Sequence, residues 1–262
     1  MPEHKKNPKK IKRKVAGELM IYGKAAVLKA WEQRQQDFVR VYLINDRIGV
    51  AKEVLQGCVE AKKAYHIVSK DDLEKITNSP HHEGLAALIN QRRAKDVEEF
   101  FHQFKKKNFS AGALLFVDGV SNPHNLGAIC RSMAHFGVRY LMGKVGELPE
   151  ESAAWLRTSE GGYEHIEVIR CKDKVAFLTL LKELGYRLVV LDQKASLSLF
   201  KAQLSEKSVF IVGHELHGIS REVLAMAAES LKIDGTGQIE SLNVSVATAL
   251  CLSEWKRQQT HV

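Results

Sequence analysis

No apolar run in this 262-residue chain approaches the roughly 20 residues that cross a bilayer. The N-terminus lacks the apolar segment of a secretory signal, and its lysines are unlike the Arg- and Ser-rich composition of a mitochondrial presequence. These absences predict a cytoplasmic protein. Cysteine is scarce: Cys58, Cys130, Cys171 and Cys251 form no C-x-x-C pair and no zinc spacing, so they read as free, mostly buried thiols. No G-x-G-x-x-G follows a strand and no Walker loop is present, so neither of those routes to nucleotide phosphates is supported. Acid is in short supply as well. There are 31 Asp and Glu against 39 Lys and Arg, a net charge of +8. That balance favours a polyanionic partner, nucleic acid above all.

Hydrophobic residues make up 45% of the chain, enough for a packed core. Residues 1–16, most of them "MPEHKKNPKKIKRK", form a basic block of the kind that stays disordered and either contacts phosphates or solubilises. Residues 17–92 read as a small α/β domain. Helical spacing runs from Ala25 to Trp31, "VRVYLIND", "AYHIVS" and "GLAALIN" are strand-like, and "SKDDLEKIT" offers Ser69 as an N-cap. Residues 93–110 are charged and partly helical, in the manner of a tether. From residue 111 to 262, apolar strands ("ALLFVDGV", "VRYLMG", "IEVIRC", "RLVVLD", "SVFIVG") alternate with amphipathic helices. That pattern predicts an α/β fold with a mostly parallel sheet covered on both faces, and ligands at the carboxyl ends of its strands.

Three stretches carry possible chemistry. In "DGVSNPHNLGAICRSMAHFGV", a helix is expected from about Asn125, its cap, to Phe136. Arg131 shares a face with Gly127, Ala128 and Ala134, so small neighbours would leave a groove beside a guanidinium. Such a groove suits a phosphate or a ribose hydroxyl; an ordinary surface arginine fits the same spacing. In "VFIVGHELHGIS", Gly213 and Gly218 permit close backbone approach, and Glu215 follows a strand's carboxyl end. His214, Glu215 and His217 miss the H-E-x-x-H zinc spacing by one residue, so no metal site is assigned. In "ESLNVSVATALCLSEW", a helix apolar almost all round is expected to be buried, with Ser241 as its cap. Ser241, Ser245 and Thr248 fall on one stripe that needs hydrogen-bond partners.

Together these stretches resemble the SpoU/TrmH branch of the SPOUT RNA methyltransferases. Asn125, Gly127 and Arg131 match its N-x-G-x-x-x-R signature. Gly213, Glu215 and Gly218 match its G-N-E-x-x-G signature, and Ser241 to Ala247 match S-L-N-V-S-V-A. Residues 17–92, through "HHEGLAAL", resemble the family's substrate-binding module. The resemblance implies a C-terminal trefoil knot, S-adenosylmethionine as cofactor, a homodimer with active sites at its interface, and methylation of a ribose 2′-hydroxyl in tRNA or rRNA. It implies catalytic roles for Arg131, Asn125, Glu215 and Asn243, and cofactor contacts at Leu191, Gly213, Ile233, Ser241 and Leu242. Two departures stand out. His214 replaces the family's Asn, and "IDGTG" puts Asp234 and Gly235 where the family has Pro and Met around the adenine. Those departures and the basic tail also suit an alternative, a catalytically inactive RNA-binding protein on the same fold. A metal hydrolase built on His214, Glu215 and His217 is the third reading.

Overall fold

The computed structural model describes residues 17–104 and 112–259. The basic block at 1–16 lies outside the described residues. The first unit runs β1 (Glu18–Tyr22), α1 (Lys24–Arg34), β2 (Phe38–Leu43), α2 (Lys52–Glu60), β3 (Ala64–Ile67), α3 (Lys70–Thr77) and β4 (Leu85–Asn90). Its sheet order is β1-β4-β2-β3, with β4 antiparallel to both neighbours and β3 parallel to β2. Alternation along the strands sends Leu19, Ile21, Val41, Leu43, Ala87 and Ile89 into one core with Val27, Trp31 and Val54 from α1 and α2. Ser69 caps α3 as expected, accepting from the Asp72 N–H at 3.1 Å. β1 is not among the expected strands. Its residues run straight into the helical spacing, and only Gly23, at φ 98°, separates the two.

The second unit comprises β5 (Lys95–Asp96), α4 (Val97–Phe104), β6 (Leu114–Asp118), α5 (Pro123–Phe136), β7 (Tyr140–Lys144), α6 (Ala153–Thr158), β8 (Glu167–Cys171), α7 (Lys174–Glu183), β9 (Arg187–Leu191), β10 (Leu197–Ser198), β11 (Ser208–Gly213), α8 (Arg221–Met226), β12 (Glu229–Lys232) and α9 (Val244–Gln259). The strands order as β10-β12-β9-β11-β6-β7-β8-β5, every pair parallel. Both faces are covered, which is why the strands are apolar throughout. Leu115, Val117, Phe210 and Val212 face α5, α6 and α9, whereas Leu114, Phe116, Val209 and Ile211 face α7 and α8. Within the stretch at 93–110 expected to be charged and partly helical lie β5 and α4, packed on the second sheet, while 105–110 lie outside the described residues. Val97, Phe100, Phe101 and Phe104 recur at helical spacing, and Phe100 is buried edge-on against Tyr140 and Phe177. Charged residues around those aromatics hid the periodicity.

A buried ion pair joins the two units. Arg34, at the end of α1, donates through Nε and Nη2 to both carboxylate oxygens of Glu164 at 2.9 Å. Arg92 reaches the same carboxylate at 2.7 Å. Arg34 and Glu164 side chains are 1% and 2% exposed, so each charge depends on the other. Among the described residues all four cysteines are free and buried, as the composition predicts. The Cys130 thiol, which accepts from the Trp155 indole N–H at 3.2 Å, is pushed up to about 12 by burial. At the far end of α9, Glu254 accepts from Arg257 and Gln258. Those hydrogen bonds, Arg257's foremost, hold its carboxyl down to about 2 against a usual 4.5.

Two stability measurements test this account. Arg34→Ala leaves the buried Glu164 carboxylate to the partly exposed Arg92 alone and is expected to cost about 3 kcal/mol in urea unfolding, while Arg34→Met with Glu164→Leu recovers part of the loss. Glu254 binds its proton less readily in the folded chain, so its contribution is present above pH 4.5 and is lost as pH falls towards 2. Glu254→Gln is therefore expected to lower stability at neutral pH and to flatten the acid limb of the stability curve in that window, so that variant and native chain converge towards pH 2.

Candidate active site

Strand order changes direction at β6. From β6 the chain steps outward through β7 and β8; it then crosses to the other side, where β11 lies between β9 and β6. Ligands in open parallel sheets gather at the carboxyl ends flanking such a switch. Here the register places Gly213 beside Asp118. Past Asp118 the chain turns into α5, where Asn122, not Asn125, is the cap. Its side chain accepts from the His124 and Asn125 N–H groups at 2.9 and 3.4 Å, with Pro123 at the first helical position. Capping three residues earlier than expected frees the Asn125 side chain for the site.

Beyond β11 the chain folds back on itself. His214 and Gly218 exchange backbone hydrogen bonds at 3.0 and 2.8 Å. A Cβ at Gly213 would lie 2.4 Å from the Gly218 carbonyl carbon, so only glycine permits this crossing. His214 Nδ1 accepts from the Leu216 N–H at 3.0 Å and stiffens the turn. That bond occupies one imidazole lone pair, and the His214 and His217 rings lie against each other, centroids 4.7 Å apart. Among the described residues no group of three ligating side chains could hold a metal ion.

The turn presents Glu215 to Asn125, and a directed chain of hydrogen bonds follows. Asn125 Nδ2 donates to Glu215 Oε1 at 2.6 Å. Asn243 Nδ2 donates to Asn125 Oδ1 at 3.0 Å. Asn243 Oδ1 accepts from the Ser245 N–H at 2.8 Å and from its hydroxyl at 2.6 Å. A carboxylate only accepts, so Glu215 dictates which way Asn125 faces, and Asn125 dictates Asn243. Asn243, not Ser241, thus caps α9. The polar stripe is satisfied within the helix, since Thr248 donates to the Val244 carbonyl at 2.7 Å. α9 is not buried all round either: Val246 is 47% exposed, as Leu242 before it is 41% exposed.

Arg131 lies outside this chain of bonds. It is exposed on α5, six residues beyond Asn125 and about 9 Å further along the helix axis. The expected groove beside it is filled. A Cβ at Gly127 would sit 2.6 Å from the Trp155 carbonyl oxygen, and Gly162 packs against the Arg131 backbone. Small residues on this face serve close packing of α6 and the 162–165 turn.

The expected cofactor residues cluster at the strand ends. Leu191 ends β9, Gly213 ends β11 and Ile233 follows β12, three adjacent strands. Leu191 and Ile233 are partly buried on the core. Ser241 and Leu242 are exposed just before α9. Two supporting residues escape the motif reading. Asp118, 4% exposed, accepts from the Ser220 N–H and from Lys174 Nζ, both at 2.7 Å. Lys174 also lies 3.1 Å from Glu222. Burial opposes the lysine's charge, but its bonds to Asp118 and Glu222 outweigh that and raise its pKa. The signal for Asp118 was a carboxylate closing an otherwise apolar strand.

Comparison with known proteins agrees with this geometry. The profile described as "SpoU rRNA Methylase family" matches residues 112–253, and "RNA 2'-O ribose methyltransferase substrate binding" matches 20–95. An Escherichia coli O157:H7 protein named uncharacterized tRNA/rRNA methyltransferase YfiF is 35% identical over 96% of this chain and 72% of its own length. The 23S rRNA (guanosine-2'-O-)-methyltransferase RlmB of Photorhabdus laumondii is 28% identical over 92% of this chain and 98% of its own. The crystal structure of AviRb from Streptomyces viridochromogenes with AdoMet superposes with a TM-score of 0.75 at 19% identity, covering 94% of this chain and 92% of that one. The switch-point site, the two matched regions and these relatives together place the chain in the SpoU family of S-adenosylmethionine-dependent RNA 2′-O-ribose methyltransferases.

Proposed function

We propose that the Glu215–Asn125–Asn243 chain of hydrogen bonds is the catalytic frame and that Arg131 acts on the hydroxyl to be methylated, in a tRNA or rRNA substrate in the cytoplasm. The observation that carries this reading is the frame itself: three segments far apart in sequence meet through one set of directed bonds at the sheet's switch point. Bound S-adenosylmethionine supplies an electrophilic methyl group. The residues present suit it. Leu191, Ile233 and Leu242 offer apolar surface to a purine beside the strand ends, Gly213 brings backbone close, and Ser241 offers a hydroxyl. Of the departures, His214 satisfies the Leu216 N–H as a shorter amide side chain would, so the turn keeps its shape. Asp234 lies 3.8 Å from Lys232, which offsets its charge.

A ribose hydroxyl is a weak nucleophile and needs orientation and help losing its proton. An arginine side chain offers only donors, so the role of Arg131 is to hold the hydroxyl or a neighbouring phosphate and stabilise negative charge on the oxygen. Its exposure, without a hydrogen bond to any described residue, supports a homodimer in which it completes a site together with a second copy. Leu216, Ile239, Leu242 and Val246 add apolar surface beside the same loops that a second copy would cover. The knotted threading implied by the family belongs to the same reading: β12 pairs at the outer side of β9 while α9 returns to pack with α5's core residues.

Mapping 2′-O-methyl sites in total RNA from cells with and without the gene tests the activity, and loss of a site names the substrate. Arg131→Ala is expected to lower methyl transfer about a hundredfold or more while S-adenosylmethionine binding by calorimetry stays nearly unchanged. Retained turnover would remove Arg131 from the mechanism. Asp118→Ala uncouples Ser220 and leaves Lys174 short of its main carboxylate. The expected cost is about 3 kcal/mol in stability together with weaker cofactor binding. Asp118→Asn, which can still accept from Ser220, is expected to fall between Ala and the native chain on both measures.

A further inference from the structure

The sheet of the first unit carries a set of side chains that neither its core nor the methyl-transfer site uses. Across its strands, Tyr22, Ala86, Tyr42 and His66 stand in one row, and Met20, Leu88, Arg40 and Ala64 in the next. Leu73 of α3 and Ala153 of α6 cover the Tyr22 and Ala86 end of this face. The other end is open: Ala64 and His66 are exposed, and Arg40, Tyr42 and Leu88 are half-buried. The Tyr42 and His66 rings stack, centroids 5.5 Å apart and planes 22° from parallel. Arg40 Nη1 donates to the Tyr42 hydroxyl at 3.4 Å, whereas its Nε, shielded from solvent, has no hydrogen-bond partner among the described residues.

Packing alone does not account for this arrangement. Aromatic pairs that hold a core together are covered on both sides, and here the histidine ring is exposed at the sheet edge. Arg40 is also not among the arginines paired with a carboxylate in the described residues. Stacked rings with an open face beside an unneutralised guanidinium suit a nucleobase and its phosphate, and the chain's net charge of +8 points the same way. The face also communicates with the catalytic frame. His124, adjacent to Asn125, lies 3.1 Å from the Thr158 hydroxyl at one end of α6, and Ala153 at the other end joins the cluster that Tyr42 packs on. Five residue steps of helix, about 7.5 Å, separate the two ends.

We infer that Arg40, Tyr42 and His66 form a stacking platform for an unpaired base of the RNA substrate, with Arg40 on the adjoining phosphate. The inference rests on the proposed function only in taking the substrate to be RNA. Bases inside a duplex have no free face, so the platform selects a loop, bulge or single strand near the methylated nucleotide.

The test uses the full chain and two probes: a hairpin oligoribonucleotide with 5-iodouridine in its loop, and a blunt RNA duplex. Ultraviolet cross-linking followed by peptide mass spectrometry is expected to join the loop to Tyr42 or His66. His66→Ala with Tyr42→Leu is expected to weaken hairpin binding about tenfold or more in fluorescence anisotropy, leaving duplex binding and S-adenosylmethionine binding unchanged. Tyr42→Phe keeps the ring and is expected to bind nearly as the native chain does. If the double variant does not fold, His66→Ala alone, at an exposed position, carries the measurement with a smaller loss expected. Cross-links confined to other regions, or hairpin binding indifferent to His66, overturns the platform and leaves this face to another occupant, such as a protein. Methyl transfer into total RNA separates the two readings. Transfer with an inert platform sinks only this inference; platform cross-links without any transfer sink only the proposed catalysis.

Discussion

β6 and β11 are distant in the chain, yet they pair in parallel register, so that Asp118 and Gly213 finish side by side. Everything at the site descends from that alignment. It sets the β6–α5 turn against the 213–220 turn, close enough that a Cβ added at Gly119 would lie 3.5 Å from the His214 Cβ. It lets one carboxylate, Asp118, hold both the start of α7 through Lys174 and the start of α8 through Ser220. A slip of one residue would turn Phe210 and Val212 to the wrong face of the sheet and remove the whole arrangement together.

The Glu215–Asn125–Asn243 chain then explains why these three residue types occur together. An amide presents a donor on one side and an acceptor on the other, so a row of amides can carry a direction that a row of hydroxyls cannot. Glu215 starts the row as an acceptor, and the backbone N–H of Ser245 ends it as a donor. Aspartate at 125 would place two carboxylates against each other, and at 243 it would bring an acceptor to the Asn125 acceptor. The frame is thus rigid without being buried.

Much of this was legible because strand burial and capping leave marks at short range. Two-sided burial wrote the five long strands of the second sheet as apolar runs, and Ser69 announced α3 directly. What stayed hidden was set by tertiary neighbours. β1 merged with α1's pattern because one glycine alone divides them. β5, β10 and β12 are too short to show a period, and α4's aromatic stripe was masked by the charges beside it. At the site, Asn125, Glu215 and Asn243 meet through hydrogen bonds, whereas Arg131 lies apart. Their local roles shifted: Asn122 took the cap expected of Asn125, Asn243 took that of Ser241, and Gly127 proved to admit a helix where a groove was expected. Each shift concerns which of several nearby polar or small groups meets a partner from another part of the chain. A single sequence does not contain that information. Asp118 and Lys174 share no short motif, since their pairing exists only across the sheet.

His214 shows how a departure from a family pattern can leave the hydrogen bond of a turn in place. The Leu216 N–H of this turn needs an acceptor two residues back. Imidazole Nδ1 sits at nearly the same reach from the backbone as an amide oxygen, and here it accepts from Leu216. The larger ring lies against His217 and beside Gly119. The exchange therefore changes the surface offered to a ligand more than the path of the backbone. It also commits Nδ1 as the acceptor, so a neutral His214 carries its proton on Nε2. The turn can then keep Glu215 aimed at Asn125 with a residue of different chemistry beside it. The requirement met at this position is a hydrogen-bond acceptor at the right distance, and the identity of the residue supplying it comes second.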